Sequence, residues 1–428
     1  VVVGGAVVGA AAGLARARDG GQVALIEPRE PPRWRNEPID AAGTDLRVYA
    51  FAPDNADLLD DLGVWRGVRE ARVQPYRAMR VWDAAGGGEM AFDAHAFGQC
   101  ELGWIVEHAL LVDRLWAASP AAGVQVHCPE AVVGLEQDDT GASLQLQGGQ
   151  TLRAKLVLAA DGAESKLRAL AGIETARHDY GQRGLVAFIE SQRPHQSTCW
   201  QRFLPTGPLA FLPFATADGA AWKPGHVSSI VWTQPDAEAQ RLLEADDTAF
   251  LRELEMAFEG RLGALTATSK RAAFPLRRQL AQRHVAGRVA LIGDAAHAVH
   301  PLAGQGVNLG LRDVATLRAV LREAQRRGVD PASPHRLDRW ARRQRSDNAV
   351  AAYAFDGLNR LFSNDSLAAT LVRGPLLGLA GRLPPLAHAF WRPPAGRCGN
   401  ANSAPQKRGV FLFRLRYRVT CRRPVPCA

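Results

Sequence analysis

Glycines near the amino terminus are spaced as in a turn that lets a backbone approach a phosphate group. A β-branched run at residues 1–3 predicts a buried strand, and the sequence Gly4-Gly5-Ala6-Val7-Val8-Gly9 follows it. An Ala- and Leu-rich helix is predicted over residues 10–18, and a second strand ends at Glu27. Strand, glycine turn, helix, strand and acid in this order form the fingerprint of a dinucleotide site.

Each part of this fingerprint has a chemical task. The glycines bring backbone amides close to a pyrophosphate, and the helix N-terminus faces its negative charge. Glu27 can accept hydrogen bonds from an adenosine ribose, which favours NAD or FAD over NADP. Ala6 replaces the second glycine of the usual pattern, and its β-carbon could displace the pyrophosphate. The alternative is a tight turn between a strand and a helix, with no cofactor.

Two later segments also run from an apolar strand into an acid and then a helix. The first strand ends at Asp161 and Gly162, and the second ends at Gly293 and Asp294. The carboxylate of Asp294 could bond a ribityl hydroxyl, although either acid could instead be a helix N-cap. The residues after the second acid could approach a flat ring and phosphates through their backbone: Pro301, Gly304, Gln305, Gly306, Val307 and Asn308.

These three motifs, in this order, resemble the FAD-dependent aromatic hydroxylases of the para-hydroxybenzoate hydroxylase type. The run over residues 293–310 is especially similar to the ubiquinone-biosynthesis branch of that superfamily. Shorter segments resemble the same branch: Leu46-Arg47-Val48, Val81-Trp82-Asp83, Gly103-Trp104-Ile105-Val106-Glu107, Phe274-Pro275-Leu276 and Arg339-Trp340. The resemblance covers residues 1–390. His108 departs from it, because the branch usually has Asn there, and this puts one polar contact in doubt.

The resemblance implies a cofactor site made of FAD-binding residues and no metal ion. The adenosine half would be held by Gly4, Gly5, Ala6, Gly9 and Glu27. Arg47 would contact the flavin side, whereas Asp161 and Gly162 would serve the dinucleotide and NAD(P)H. Gly293 and Asp294 would bind the ribityl chain or pyrophosphate, and Pro301 with Gly304, Gln305, Gly306, Val307 and Asn308 would line the isoalloxazine. Beyond the flavin-lining residues, the sequence identifies no catalytic residue and no general base.

The predicted fold is α/β, with a Rossmann-like FAD-binding domain of the glutathione reductase and para-hydroxybenzoate hydroxylase type. An antiparallel-sheet substrate domain is inserted into it, and helices follow at the C-terminus. The FAD-binding domain is assigned to residues 1–75, 100–178 and 272–360, and the substrate domain to 76–99 and 179–271. Residues 361–396 are a predicted helical segment, and residues 397–428 a basic tail. Within these limits we expect a hairpin over 79–92, a meander of strands over 124–146 and one strand over 151–160.

Several residue groups have a structural and a functional interpretation. Most aromatic residues at strand spacing are core, but an aromatic substrate pocket could include Trp200, Phe203, Phe211 and Trp232. A solvated basic helix face is the prediction for Arg318, Arg322, Arg326 and Arg327. His297 and His300 lie three residues apart without a carboxylate partner, so we predict no metal site there.

The charge of the chain lies mostly in its tail. The net charge is +9 over 428 residues, and the eight basic residues of 397–428 account for all but one unit of it. The tail contains no acid. Its composition favours a disordered segment, or an extension that is unrelated or translated out of frame. A nearly neutral body argues against a nucleic-acid partner. Six scattered cysteines and no signal-peptide pattern predict a cytoplasmic protein, with peripheral membrane contact through residues 367–390 as an alternative.

The implied activity is a monooxygenase reaction on the ring of a polyprenylated phenol, a ubiquinone precursor. NAD(P)H would reduce FAD, and O2 would form a flavin C4a-hydroperoxide that transfers one oxygen atom to the ring. Two alternatives stay open: a related flavoenzyme, such as a phenol hydroxylase or a prenyl reductase, and a non-catalytic prenyl-binding protein. Other proteins of ubiquinone biosynthesis are expected partners. The hydroxylated carbon, the choice between NADH and NADPH and the oligomeric state are left open.

Overall fold

The computed structural model describes residues 1–37, 45–84, 89–217, 221–298 and 306–344. Within these residues the helices are α1 (Val7–Arg18), α2 (Pro53–Asp61), α3 (Trp65–Ala71), α4 (His108–Ala118), α5 (Lys166–Leu170), α6 (Asp236–Glu244), α7 (Asp247–Ala257) and α8 (Gly306–Arg326). Residues 334–344 are also helical.

The strands of the described residues belong to four sheets. In chain order they are β1 (Val2–Val3), β2 (Val23–Ile26), β3 (Val48–Phe51), β4 (Gln74–Tyr76), β5 (Ala78–Asp83), β6 (Glu89–Asp93), β7 (Gly103–Glu107), β8 (Val124–His127), β9 (Val132–Gln137), β10 (Ala142–Leu146), β11 (Thr151–Ala154), β12 (Val157–Ala159), β13 (Thr175–Ser191), β14 (Thr198–Leu204), β15 (Gly207–Pro213), β16 (Val227–Pro235), β17 (Leu265–Thr268), β18 (Ala272–Ala281), β19 (Val285–Ala286), β20 (Val289–Leu291) and β21 (His297–Ala298).

A six-stranded sheet carries the three motifs. Its order is β19-β20-β12-β1-β2-β8, and its neighbours are parallel except for β19 and β20. All residues of β1, β12 and β20 are buried, as in parallel sheets that are covered on both faces. The carboxyl ends of β1, β2, β12 and β20 therefore meet at one edge, where α/β sheets bind ligands.

Two sequence predictions for the next segment were wrong. Residues 124–146 are not one meander, because β8 pairs in parallel with β2 whereas β9 and β10 form an antiparallel sheet with β11. Residues 151–160 are not one strand, because β11 and β12 belong to different sheets. Short apolar runs look alike in both kinds of sheet, so periodicity could not separate them.

A nine-stranded sheet forms the second layer of the protein. Its order is β21-β18-β13-β16-β15-β14-β5-β6, with β17 also paired to β13, and only β14 and β5 are parallel neighbours. The predicted hairpin over residues 79–92 is confirmed as β5 and β6. β18 pairs with β13 in this sheet, although the sequence-based domain limits place residues 272–281 in the FAD-binding domain.

The predicted aromatic candidates lie in the core of this second layer. Trp200, Phe211 and Trp232 pack on the sheet face that α6 and α7 cover. Phe203 lies in a separate small cluster with Val81. The core interpretation therefore holds for these side chains.

The opposite face of the nine-stranded sheet looks toward a three-stranded sheet, β3-β7-β4. Val186, Phe188 and Ala210 pack there against Leu46 and Ile105. This contact joins β3, which begins directly after Arg47, to the large sheet.

Helix α8 is hydrogen-bonded to the C-terminal end of α1. The Arg318 guanidinium donates to Asp19, the C-cap of α1, at 2.9 Å, and to Asp61 at 2.5 Å. Its side chain is only 8% exposed, so the prediction of a solvated face was wrong for Arg318. Arg322 also donates to Asp19. None of the helices in the described residues is long and apolar enough to cross a membrane.

Candidate cofactor site

The glycine turn after β1 leaves no room for side chains at two positions. Gly4 has φ +102°, and a β-carbon there would lie 2.3 Å from the Ala160 carbonyl oxygen, at the end of β12. A β-carbon on Gly9 would lie 1.9 Å from the Gly4 carbonyl oxygen. These two glycines therefore allow α1 to pack closely against the ends of β1 and β12.

The unusual alanine in the turn is accommodated without strain. Ala6 is the N-cap of α1 and has φ −68° and ψ −176°, which any L-residue adopts. It is exposed, and neither a side-chain cap nor an acid in the first turn occupies the helix N-terminus. The free amides of this turn can therefore bind an anion.

Glu27 lies beside the turn, as the sequence predicts. Its Oε2 accepts a hydrogen bond from the Gly5 N–H at 2.6 Å. The indole of Trp116, in α4, donates from Nε1 to the Gly5 carbonyl oxygen at 2.6 Å. Sequence reasoning missed Trp116 because 111 residues separate the two partners.

The turn after β20 meets the same edge of the sheet. Gly293 has φ +60°, and its α-carbon lies close to the place that a β-carbon on Gly310 would take. Val8, in the first turn of α1, packs against both glycines. Asp294 is exposed, yet desolvation by the surrounding protein raises the pKa of its carboxyl, Asp313 adds to this shift and His297 opposes it.

A buried ion pair between His297 and Asp313 holds this second turn, so the expectation that His297 has no carboxylate partner was wrong. Asp313 Oδ2 accepts from His297 Nε2 at 2.6 Å and from the Gly293 N–H at 2.9 Å, and Oδ1 accepts from Gln344 Nε2 at 2.7 Å. Burial alone would lower the pKa of His297, but the Asp313 carboxylate raises it above its usual value. Burial would raise the pKa of Asp313, and His297 lowers it.

Asp161 directs its carboxylate into the protein. It accepts hydrogen bonds from the Ser165 hydroxyl at 2.5 Å and from the Leu167 N–H at 3.0 Å, at the start of α5. Asp161 is not itself the N-cap that the sequence offered as an alternative, because Ser165 is the N-cap of α5, but its carboxylate binds that cap and one amide of the first turn. Gly162 has φ +84° and open space on its β-carbon side. If Asp161 and Gly162 contact a cofactor, they would do so through backbone atoms.

Arg47 directly precedes β3 and forms an exposed ion pair with Asp45, whose two oxygens it contacts at 3.0 and 2.9 Å. The hydrogen bond to Asp45 raises the pKa of Arg47. Behind it, the Tyr49 hydroxyl and His108 Nδ1 are 2.9 Å apart. Burial, and then Arg47, lower the pKa of His108 to about 4, so this ring is neutral at pH 7, and its tautomer decides whether Nδ1 or the Tyr49 hydroxyl is the donor.

Asn308 joins α8 to the β3–α2 connection with its side chain. Oδ1 accepts from the Ala52 N–H and from Asn55 Nδ2, both at 2.9 Å, and Nδ2 donates to the Ala50 carbonyl oxygen at 2.8 Å. The side chain is thus used within the protein. Any contact of Asn308 with a cofactor would come from its backbone in the first turn of α8, where Gly306 and Val307 also lie.

Three flavin-lining predictions fall outside the described residues: Pro301, Gly304 and Gln305. His300, the helical segment 361–396 and the basic tail 397–428 fall outside them as well. Among the residues that the structure describes, no group of three or more His, Cys, Asp and Glu side chains could hold a metal ion.

The described residues fit FAD at three points. The open N-terminus of α1 suits a pyrophosphate, and Glu27 stands beside it for a ribose. Asp294 offers an exposed carboxylate after β20, and a β-carbon on Gly306, at the start of α8, would lie 4.0 Å from its Oδ1. One edge of a parallel sheet thus presents groups for an anion and for two sets of hydroxyls.

The comparisons with known proteins agree with this geometry. Residues 1–352 match the family described as FAD binding domain. The chain is 38% identical to a ubiquinone hydroxylase, UbiL, of Rhodospirillum rubrum, over 96% of this chain and 93% of that protein. It is 36% identical to the 3-demethoxyubiquinol 3-hydroxylase of Escherichia coli, over 85% of this chain and 90% of that protein.

A solved structure shows the same fold at lower identity. The p-nitrophenol 4-monooxygenase PnpA of Pseudomonas putida superposes with a TM-score of 0.68 and 19% identity, covering 91% of this chain and 95% of that one. Family match, identity over nearly full length and fold point the same way. The chain belongs to the FAD-dependent aromatic hydroxylases, in the group that contains the ubiquinone hydroxylases.

Proposed function

We propose that this enzyme hydroxylates the aromatic ring of a polyprenylated phenol in ubiquinone biosynthesis, with O2 and NAD(P)H as co-substrates. The observation that carries the proposal is the 38% and 36% identity to two enzymes whose names specify ubiquinone-type rings. In the balanced reaction the ring C–H becomes C–OH, the second oxygen atom leaves as water, and NAD(P)H with one proton is oxidised to NAD(P)+.

The chain would hold FAD along the edge described above. When bound, FAD supplies the electron transfer and the activation of O2. The amides of α1 would bind its pyrophosphate, Glu27 its adenosine ribose, and Asp294 its ribityl hydroxyls. Arg47 and the backbones of Gly162, Gly306, Val307 and Asn308 complete the proposed site. NAD(P)H would approach without a Rossmann domain of its own, since one fingerprint helix is present.

The substrate wall in this proposal is the face of the nine-stranded sheet that looks toward β3. The strand register places Val81, Gln201, Ala210, Val231 and Val186 in one row on that face. Four of these side chains are apolar, and Gln201 is the polar member. An apolar wall suits a prenylated ring and excludes water from the reacting atoms.

The domain division proposed from sequence needs one adjustment to suit this arrangement. We propose that the substrate layer extends through β18 and so includes residues 272–281. The FAD-binding part would then resume at β19. Peripheral contact with a lipid surface, and with other enzymes of the pathway, is part of the proposal because a polyprenyl chain resides in lipid. Flotation of the protein with lipid vesicles tests that contact.

The decisive experiment measures cofactor, consumption and product on one preparation. An absorbance spectrum should show bound flavin, and a prenylated phenol should accelerate NAD(P)H oxidation. Mass spectrometry under 18O2 should find one labelled oxygen in the product ring. Asp294→Ala should lose the flavin and the activity, whereas Asp338→Asn, at an exposed acid in residues 334–344, should keep both.

The alternatives give different results in the same assay. A prenyl reductase would add hydrogen to the prenyl chain without incorporating oxygen. A phenol hydroxylase would act on simple phenols and leave the prenylated compound unchanged. A non-catalytic prenyl-binding protein would bind the phenol without consuming NAD(P)H. Any of these three outcomes would refute the proposal.

A further inference from the structure

We propose that Trp116 is a positioning residue for the pyrophosphate of FAD. It acts by fixing the orientation of the peptide between Gly5 and Ala6. The proposal concerns binding of the adenosine half and does not depend on the identity of the substrate.

Both peptide groups that flank Gly5 are held by side chains. Glu27 Oε2 accepts from the Gly5 N–H, and the Trp116 indole donates to the Gly5 carbonyl oxygen, each at 2.6 Å. A β-carbon on Gly5 would lie 2.6 Å from the indole and 3.2 Å from the Glu27 side chain. The indole and the proposed ribose carboxylate thus contact the same residue.

The planar trans peptide converts this hydrogen bond into a direction for the next amide. Because the C=O and N–H of one peptide unit point to opposite sides, a Gly5 carbonyl bound to the indole turns the Ala6 N–H away from Trp116. Ala6 is exposed and directly precedes α1. Its N–H therefore joins the free amides of the first helical turn, which can bind an anion.

Glycine makes this orientation vulnerable. A residue without a β-carbon can rotate its peptide groups at little steric cost. Rotation of the Gly5–Ala6 peptide would present a carbonyl oxygen, with its negative partial charge, to the pyrophosphate in place of an N–H. The indole bond opposes this rotation, and it does so in a turn where alanine stands at the position of the usual second glycine.

The test compares FAD with FMN, which lacks the adenosine half and one phosphate. Trp116→Phe keeps an aromatic ring and removes the N–H donor. We expect about tenfold weaker FAD binding, the equivalent of one hydrogen bond of about 1.4 kcal/mol. FMN binding should equal that of the wild type. Flavin fluorescence quenching on cofactor-free protein measures both affinities, without turnover.

Trp104→Phe is the matched control, because Trp104 packs on Trp65 and lies in the three-stranded sheet β3-β7-β4, whereas the turn follows β1 of the six-stranded sheet. It should change neither affinity. Unchanged FAD binding by Trp116→Phe would overturn the proposal, and so would an equal loss of FAD and FMN binding, which indicates general damage to the fold. If Trp116→Phe does not fold, Trp116→Tyr removes the same N–H donor and is judged by the same ratio of affinities.

A hydroxylation assay separates this proposal from the proposed function. A wild type that binds FAD but hydroxylates no prenylated phenol would refute the function alone. A fully active wild type whose Trp116→Phe variant keeps its FAD affinity would refute the positioning role alone.

Discussion

Replacing Asp313 with Asn should lower the free energy of unfolding by about 3–5 kcal/mol, the usual cost of breaking a buried ion pair. The side chains of His297 and Asp313 are 0% and 2% exposed, and Asp313 accepts three hydrogen bonds. An amide would turn an NH2 group toward one of those three donors. It would also leave the imidazolium of His297 without its counter-charge.

The pH dependence of this loss has a definite sign. The folded pKa of His297 is above 6.5, so the stabilisation from its protonated form is complete below pH 6.5 and is lost as pH rises through the folded pKa. The folded pKa of Asp313 is below 3.8, so its share is present above pH 3.8 and is lost as pH falls through the folded value. The difference between wild type and Asp313→Asn should be largest between these limits and shrink in alkali.

Urea unfolding at several pH values measures this difference. Asp338→Asn, which changes an exposed acid in the same way, is the control and should match the wild type. A His297→Asn variant and the double variant complete a cycle that isolates the pair. The reasoning is wrong if Asp313→Asn costs under about 0.5 kcal/mol, the size of an ordinary surface change, or if its cost does not vary with pH.

Three further predictions follow from buried contacts and close packing. Asn308→Ala should lower the free energy of unfolding by about 3 kcal/mol, because it removes three side-chain hydrogen bonds of about 1 kcal/mol each; a urea midpoint equal to that of the wild type would contradict this. Glu107→Gln should cost about 3–5 kcal/mol in the same assay, because it leaves Arg72 a buried cation in a pair whose side chains are 4% exposed, whereas Arg66→Ala, in an exposed pair, should cost under about 0.5 kcal/mol. Gly9→Ala should abolish FAD retention on gel filtration, because its β-carbon would lie 1.9 Å from a backbone oxygen; a yellow, FAD-loaded variant would refute the packing argument.

Sequence reasoning could place the site residues that directly follow parallel strands. Parallel strands bring Gly4, Glu27, Gly293 and Asp294 to one edge whatever the side-chain details are. The negative φ of Ala6 shows that alanine fits the backbone of the turn, which a motif does not report; the effect of its β-carbon on a pyrophosphate stays a prediction.

The parts that sequence reasoning missed depend on contacts between distant residues. Trp116 reaches Gly5, and Asp313 reaches His297, from helices whose own patterns give no sign of it. The chemical role of Asn308 could not be predicted either, because a residue type does not reveal whether its side chain or its backbone faces a ligand.

Helices α1 and α8 contact each other at two places along their length. Their amino ends meet at Val8 and Gly310, beside the cofactor edge, and the Asp19–Arg318 bridge ties them farther along. Asp19 follows the last residue of α1, about 18 Å from its first turn at 1.5 Å per residue. Loss of the Asp19–Arg318 bridge would let the amino ends of α1 and α8 separate. We therefore expect substitutions at this buried pair, which touches neither flavin nor substrate, to change the cofactor affinity of the enzyme.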